Sequence, residues 1–523
     1  MSWWEDAVGY EVYLRSFADG DDDGIGDFAG LIGKLDYLDD LGIDIVWVTP
    51  FYPSPQADFG YDVADYRGVD PMYGTIEDFD RFVSAAHERD LRVVIDVVPN
   101  HSSSEHPFFR SALEGGPGSP HWDFYVWRDP APDGGPPNNW LSFFGGPAWT
   151  YVPKWDRYYM HLFLPEQPDF NWQSRAVADY FVETLRFWVA KGVDGFRIDV
   201  AHALVEDSRF RDNPIGESEA GTVAVGGEFD VFEHVHDYDQ PGVTDIYRRW
   251  KEELGPHVLL LGEVYLTEPE PVVRYIAEGH LDEAFYFGLN RISWDAVEFA
   301  KRVRAACDAM SRGWSWVQGS HDESRAVTRF GGGQLGWERA MALWVAMMGL
   351  PGTPFLYQGD ELGLEDGHVA IEDIADPVGL EDPEAGRDPC RTPMPWNPGV
   401  HNGFSSSQPW LRSARRRPEE TVEAQMGDPE SRLSRMKELI RVRRATSELR
   451  SGELRWLESP PGTLAFSRGD VAHIANLTDD AATVGFEEGW DMVHVVGGRV
   501  TRVGGQFTLS PRCGAILKRS TAN

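Results

Sequence analysis

Apolar and polar positions follow two periods along the chain. Short runs that are apolar throughout, Ile43–Val48 and Val93–Val98, read as strands buried on both faces. Between such runs stand segments whose apolar residues recur every three or four positions. Thr75-Ile-Glu-Asp78 opens one as a capping box, with Phe79, Phe82, Val83 and Ala86 following on one helical face. Ser174 is placed to cap another, which carries Val177, Tyr180, Phe181, Leu185 and Trp188 and stops at Gly192. Phe196–Asp199 returns to the strand pattern. Val8–Phe17, Val258–Gly262, Glu283–Phe287, Ser315–Gly319 and Pro354–Gln358 bring the strands to eight. Eight parallel strands with crossover helices predict an α/β fold, a closed (β/α)8 TIM barrel.

Two stretches break the rhythm. Between Asn100 and Asn171 the chain is rich in Gly, Pro and Trp and shows no strong helix. A loop of that length after the third strand overhangs the face where barrel active sites sit. A second insertion, near Asp360–Trp410, follows the eighth strand. Arg412–Glu423 reads as a charged linker or loose helix, and Leu433–Arg444 as the last helix. From about Ser451 short alternating strands take over, such as Leu464–Phe466 and Val471–Leu477. The expected division is a catalytic barrel over 1–100 and 173–450, an inserted loop-rich domain over 101–172, and a C-terminal antiparallel β-sandwich over 451–523.

Composition narrows the function classes. Across 523 residues the formal net charge is −37, which repels nucleic acid and anionic membrane surfaces. Three distant cysteines, Cys307, Cys390 and Cys513, give neither a disulfide framework nor a zinc spacing. The first residues lack the basic and apolar regions of a secretion signal, and no apolar run spans a bilayer. A reduced, cytoplasmic, soluble enzyme is expected. The 20 Trp suit sugar-binding clefts, because pyranose faces pack on flat rings, although most of them read as core.

The chemistry sits at strand ends. Strand three ends in Asp96-Val-Val-Pro-Asn100-His101 and strand four in Gly195-Phe-Arg197-Ile-Asp199. Residues two apart on a strand face the same way, so Arg197 and Asp199 share the barrel mouth, and a guanidinium favours the ionised carboxylate a nucleophile needs. Strand five ends in Glu263 after Leu259-Leu-Leu261, a dry approach that raises a carboxyl pKa and suits a general acid. Strand seven ends in Ser320-His321-Asp322. Two carboxyls flanking a glycosidic bond hydrolyse it, and about 5–5.5 Å between them means retention. Neighbouring strands four and five can meet that spacing.

These stretches, Asp96–His101, Gly195–His202, Gly262–Leu266 and Gly319–Asp322, resemble the four conserved segments of the α-amylase superfamily, glycoside hydrolase family 13. Gln167-Pro-Asp-Phe-Asn-Trp172 and Arg387-Asp-Pro-Cys-Arg391-Thr-Pro-Met resemble its α-glucosidase and oligo-1,6-glucosidase branch. The resemblance implies Asp199 as nucleophile, Glu263 as acid/base and Asp322 as the carboxylate that holds the 2- and 3-hydroxyls. It implies that Arg197 orients the nucleophile, that His101 and His321 bind the −1 sugar, and that Tyr61 stacks on it. Arg391 and Asp62 would pair to grip the 4-hydroxyl of a terminal glucose and enforce exo action. Val200, directly after the nucleophile, goes in that branch with α-1,6 preference; the loops around Phe144 and Trp172 are the other candidates for selecting linkage. The sequence departs from the family in two places. His202-Ala203 stand where endo-amylases carry Lys-His, and Ser320 stands where Asn is usual.

Asp19-Gly-Asp21-Asp-Asp23-Gly-Ile25-Gly-Asp27 sets alternate carboxylates on a glycine-rich loop, which suits a hard cation. By resemblance the ion is Ca²⁺, held by Asp19, Asp21, Asp23, Asp27 and the Ile25 carbonyl. A solvated acidic turn is the competing reading. The expected activity is a retaining exo-α-glucosidase on short α-1,4- and α-1,6-glucosides. The alternative is a glucosyltransferase or isomerase that uses the same glucosyl-enzyme intermediate, and product analysis with a single disaccharide separates the two. Catalytically dead transport-partner relatives carry a membrane helix and lack the carboxylates, and this chain matches neither feature.

Overall fold

The computed structural model describes residues 2–216, 229–290, 292–487 and 489–520. Eight strands close a barrel: β1 (Gly9–Val12), β2 (Ile45–Val48), β3 (Arg92–Val97), β4 (Gly195–Ile198), β5 (Leu259–Gly262), β6 (Glu283–Tyr286), β7 (Trp314–Trp316) and β8 (Thr353–Tyr357). Each pairs in parallel with its chain neighbours, and β8 closes on β1. All eight expected strands are present, but several are shorter than their apolar runs. The first stops at Val12 and gives way to a 3-10 turn over Leu14–Ser16, while Asp199, Gly319 and Gln358 lie beyond their ladders. The chain leaves the ladder where it must present side chains rather than backbone.

The continuous apolar runs are explained by burial on two sides. Alternate residues Ile45, Trp47, Val94, Leu259, Leu261, Phe285 and Phe355 form one cluster inside the barrel. Their neighbours Val46, Val48, Val93, Ile95, Leu260 and Ile198 join the main core beneath the helices. Gly9 makes room for this interior, since a Cβ there would meet the Phe355 ring at 2.2 Å. The same alternation carries Glu11, Asp96 and Arg197 into the upper interior, and the β3–β4 register sets Asp96 opposite Arg197. Among the crossover helices, Ile76–His87 begins at the expected capping box, with Thr75 and Asp78 bonded reciprocally. Ser174 holds the N-cap position of Arg175–Ala190 but makes no side-chain cap bond.

The segment after β3 corrects the sequence reading, because it contains a helix. Pro107–Gly115 has Pro in its first turn, His106 accepting the Phe108 N–H, and Phe109 and Ala112 buried. Pro at a first helical position is a start signal that the surrounding Gly and Trp obscured. A small antiparallel sheet of Trp127–Arg128, Arg157–Met160 and Trp149–Val152 follows. The segment's two ends are tied together by Ser102 N–H to Pro168 O at 3.1 Å and Phe170 N–H to Asn100 O at 2.8 Å. Arg412–Glu423 contains a 3-10 turn at Pro418–Glu420 and the start of a short helix, Val422–Met426; the last long helix is Arg432–Ala445. Beyond it, a five-stranded and a three-stranded antiparallel sheet face each other across Ala465, Ile474, Val484, Phe507, Leu509 and Leu517. Among the described residues no helix is long and apolar enough to cross a membrane.

Candidate active site

Asp199, Glu263 and Asp322 leave the ends of β4, β5 and β7 and line one pocket, together with Tyr61, His101, Phe144 and Val200. The guanidinium of Arg197, itself 1% exposed, holds the first two together. Its Nη1 donates to Asp199 Oδ1 at 2.6 Å and to Asp96 Oδ1 at 2.7 Å, while Nη2 lies 2.5 Å from Glu263 Oε1. Two carboxyls thus share one planar cation.

Burial raises both carboxyls, with Arg197 opposing; the charges of Glu263 and Asp96 add to the rise of Asp199, and that of Asp322 to the rise of Glu263. Asp199 is therefore not held low by its guanidinium alone, as the sequence suggested. The pair titrates as a unit that retains a proton. Asp96 is pushed up to about 7 by burial, against Arg197 and the Trp47 N–H. Asp322 goes the other way. Burial would raise it, but His321, Arg391, Arg387 and Arg197 hold it well below the usual carboxylate range. Environment thus separates neighbouring carboxyls into a proton-holding pair and a permanently ionised partner.

His321 is sandwiched between the Tyr13 and Tyr61 rings, at centroid distances of 5.3 and 5.5 Å. Burial pushes its pKa down to about 3. Its Nδ1 lies 2.5 Å from Glu11 Oε1, and its Nε2 lies 2.8 Å from the Tyr61 hydroxyl. Glu11 was missed by sequence reasoning, although a single acid inside the apolar Val8–Val12 run was its signal. His101 is likewise buried and held down to about 3. The Gln167 amide lies 2.9 Å from its Nε2 and also reaches Asp58 Oδ2 at 3.3 Å, so the signature glutamine links two pocket residues.

The expected Arg391–Asp62 pair is not made. Asp62 is fully buried in its own turn, where it accepts from Ser54 Oγ at 2.7 Å and from the Ala57 and Asp58 N–H groups. Arg391 donates instead to Asp322 Oδ1 at 2.6 Å and to the His321 carbonyl at 2.7 Å. The pair that lines the pocket is Arg387–Asp58, at 2.8 Å. Each partner stands four residues before the expected one, and nothing in the spacing distinguishes them. The turn decides: a carboxylate that caps its own loop cannot also face the cavity.

Val200 takes an unusual backbone conformation. It lies past the strand, at φ +35°, a conformation costly for a β-branched residue. There its N–H donates to Glu263 Oε2 at 2.9 Å and the residue lines the pocket. Phe143, Phe163, His202 and Tyr265, absent from the expected set, complete the apolar side. Trp172 lies apart from this lining, its indole N–H bonded to the Pro99 carbonyl at 2.9 Å. Ser320 Oγ accepts the Asp322 N–H at 3.2 Å, a local turn that the amide of Asn also forms, which accounts for the exchange.

In the acidic loop, Asp19, Asp21 and Asp27 each bring one carboxylate oxygen within 4.8 Å of the others. All-oxygen donors at that separation fit a hard cation. Asp23 stands outside this group of carboxylates and accepts the Ile25 N–H at 2.8 Å.

Residues 11–452 match the family described as "Alpha amylase, catalytic domain". A probable α-glucosidase of Rhizobium meliloti (strain 1021) is 38% identical over 500 residues, covering 92% of this chain and 90% of its own. The oligo-1,6-glucosidase of Heyndrickxia coagulans is 33% identical, with 93% and 94% covered. The solved structure of the α-glucosyl transfer enzyme XgtA superposes with a TM-score of 0.93 at 36% identity, covering 99% and 100%. Fold, pocket and likeness agree: the chain belongs to the α-amylase family, glycoside hydrolase family 13, within its branch of α-glucosidases, oligo-1,6-glucosidases and trehalose-6-phosphate hydrolases, and is a glycoside hydrolase of the α-glucosidase type.

Proposed function

We propose that the protein is a retaining, exo-acting α-glucosidase on short α-1,4- and α-1,6-glucosides. The observation that carries the reading is the single Arg197 guanidinium holding Asp199 at 2.6 Å and Glu263 at 2.5 Å, which suits the close carboxyl spacing of retaining enzymes. Asp199 attacks the anomeric carbon while Glu263 gives its proton to the leaving oxygen. A water, deprotonated by Glu263, then releases α-glucose. Asp322, kept ionised by two arginines, accepts from the ring hydroxyls. Tyr61 offers its ring, His101 borders the same cavity, and His321 backs Tyr61 through its Nε2. The Asp58–Arg387 pair supplies an acceptor and donors that match a terminal 4-hydroxyl, which closes the pocket to longer chains on that side. The test is the anomer released early from an aryl α-glucoside, whose leaving group is not a sugar, followed by NMR. α-Glucose is expected, and β-glucose as first product would exclude retention.

Transfer to a sugar acceptor is the second reading, favoured by the apolar wall of Phe143, Phe144, Phe163, Val200 and Tyr265, which shields the intermediate from water. It is also the activity named for XgtA. Val200 borders the leaving-group side and narrows it for O4-linked rings. One such contact is worth only about 1–3 kcal/mol, so mixed linkage specificity is expected. Val200→Ala should shift kcat/KM from isomaltose toward maltose. Asp19, Asp21 and Asp27 would hold one Ca²⁺, which would stiffen the loop between β1 and the first helix. The three buried, unpaired cysteines suit a reducing compartment, the cytoplasm.

A further inference from the structure

We propose that Asp376, on the segment after β8, is the positioning residue that aims the Arg387 guanidinium into the pocket, so that its whole contribution to substrate recognition passes through that arginine. The inference rests on the reading of Asp58–Arg387 as the group that meets the 4-hydroxyl.

Asp376 is fully buried and is not among the pocket-lining residues. Among the described residues its carboxylate is hydrogen-bonded by Arg387 alone. It accepts the Arg387 backbone N–H at 2.7 Å, Nε at 3.1 and 3.2 Å, and Nη2 at 2.7 Å. A guanidinium is a rigid plane, so fixing its Nε–Nη2 edge fixes the direction of everything else it can donate. The donors that remain fall on the two pocket carboxylates: Nη2 on Asp58 at 2.8 Å and Nη1 on Asp322 at 3.2 Å. The Phe144 ring lies under the same guanidinium, 5.3 Å from its centre.

The loop is built to keep this arrangement. Asp388, next to Arg387, accepts the N–H groups of Ala375 and Asp376 at 2.7 and 3.0 Å. Two aspartates thus cross-tie the neck of residues 375–388 in both directions, each side chain bonding the opposite backbone. An arginine free to rotate would lose rotamer entropy on meeting substrate; this one has already lost it. Electrostatics act in the same sense. Burial would raise the Asp376 carboxyl, but Arg387 and Arg391 outweigh it and keep it ionised. Without Asp376, the arginine would be divided between Asp58 and Asp322 only, with no group to set its plane.

The experiment is a double-mutant cycle with Asp376→Asn, Arg387→Ala and both together. kcat/KM is measured on an aryl α-glucoside and its 4-deoxy analogue, with Tm recorded for each variant. Asp376→Asn keeps the size of the side chain but turns an N–H toward the arginine. The expected result is that Asp376→Asn cuts the preference for the 4-hydroxyl at least tenfold, Arg387→Ala cuts it as much or more, and the double variant falls no further than Arg387→Ala. If Asp376→Asn keeps the wild-type preference, or if the two losses multiply, the proposal is overturned. If the wild type itself ignores the 4-hydroxyl, the reading of Asp58–Arg387 fails. Non-additivity of the two substitutions on maltose then still tests the coupling by itself. Should Asp376→Asn unfold at assay temperature, Asp376→Glu takes its place in the cycle.

Discussion

The two ends of one barrel are filled by opposite means. At the C-terminal mouth, Glu11, Asp96, Asp199, Glu263 and Asp322 share a small volume with Arg197, Arg387 and Arg391, nearly all of it buried. At the opposite end, inward positions of β6, β7 and β8 place one buried acid, Glu283, against hydroxyls. Its oxygens accept from Ser315 at 2.6 Å and Thr353 at 2.9 Å. Both regions obey the same strand alternation, so the difference lies in how buried charge is treated. The mouth sets its carboxyls around guanidinium groups, which hold Asp322 ionised while burial leaves Asp199 and Glu263 a shared proton. The floor keeps its acid protonated, pushed up to about 8 by burial against two neutral hydrogen bonds. A neutral acid between hydroxyls serves packing, whereas unequal charges held in one place serve proton transfer and charge stabilisation.

Substitution at the mouth should cost activity and not stability. Asp199→Asn is expected to lower kcat by on the order of 10⁴-fold. Its Tm should hold or rise, because a buried carboxylate is removed from beside Glu263 and Asp96. A fall in Tm as large as that of a core truncation would show that the mouth is a stabilising network after all. Glu263→Gln should lose roughly 10²–10⁴-fold on maltose and much less on aryl glucosides with activated leaving groups, which depart without protonation. Equal losses on both would remove it from the acid role.

Effects away from the mouth should reverse that pattern. Chelation of a Ca²⁺ at Asp19, Asp21 and Asp27 is expected to lower Tm by a few degrees while kcat on stable enzyme is retained. A Tm indifferent to chelator and to added Ca²⁺ would leave the loop as a solvated turn. Glu283→Gln should have the smallest effect on turnover and should show instead in the pH dependence of stability. The folded protein keeps a proton on Glu283 up to about pH 8, whereas the unfolded chain gives it up near 4.5. This group's stabilisation is complete below pH 4.5, declines by about 1.4 kcal/mol per pH unit, and is gone above about 8. Urea titrations from pH 5 to 9 should show a shallower decline for Glu283→Gln than for wild type.

Much of this was legible in the residues. The eight strands, the capping box at Thr75 and the three strand-end carboxylates follow from alternation and from short motifs, and the structure carries all of them. Local signals do not say where a loop side chain turns. Asp58 and Asp62 flank the same Gly-Tyr, and Arg387 and Arg391 flank the same Cys390, so the sequence offers both pairings on equal terms. The helix at Pro107–Gly115 was hidden for a related reason: its apolar face is short, and Phe109 on it is buried against Tyr125, Trp127 and Tyr159 of the same insertion.

By itself, then, the sequence determined the barrel and the standing of three carboxyls at its strand ends, because strand periodicity and strand-end position are properties of neighbouring residues. Tertiary structure alone decided which arginine meets which aspartate, that Glu11 meets His321, and that Val200 turns its N–H to Glu263. Arg387 and Asp58 are 329 positions apart, and Glu11 and His321 are 310 apart. Contacts over such distances are fixed by barrel closure and by turns that use up one carboxylate and expose another. No spacing along the chain encodes that choice.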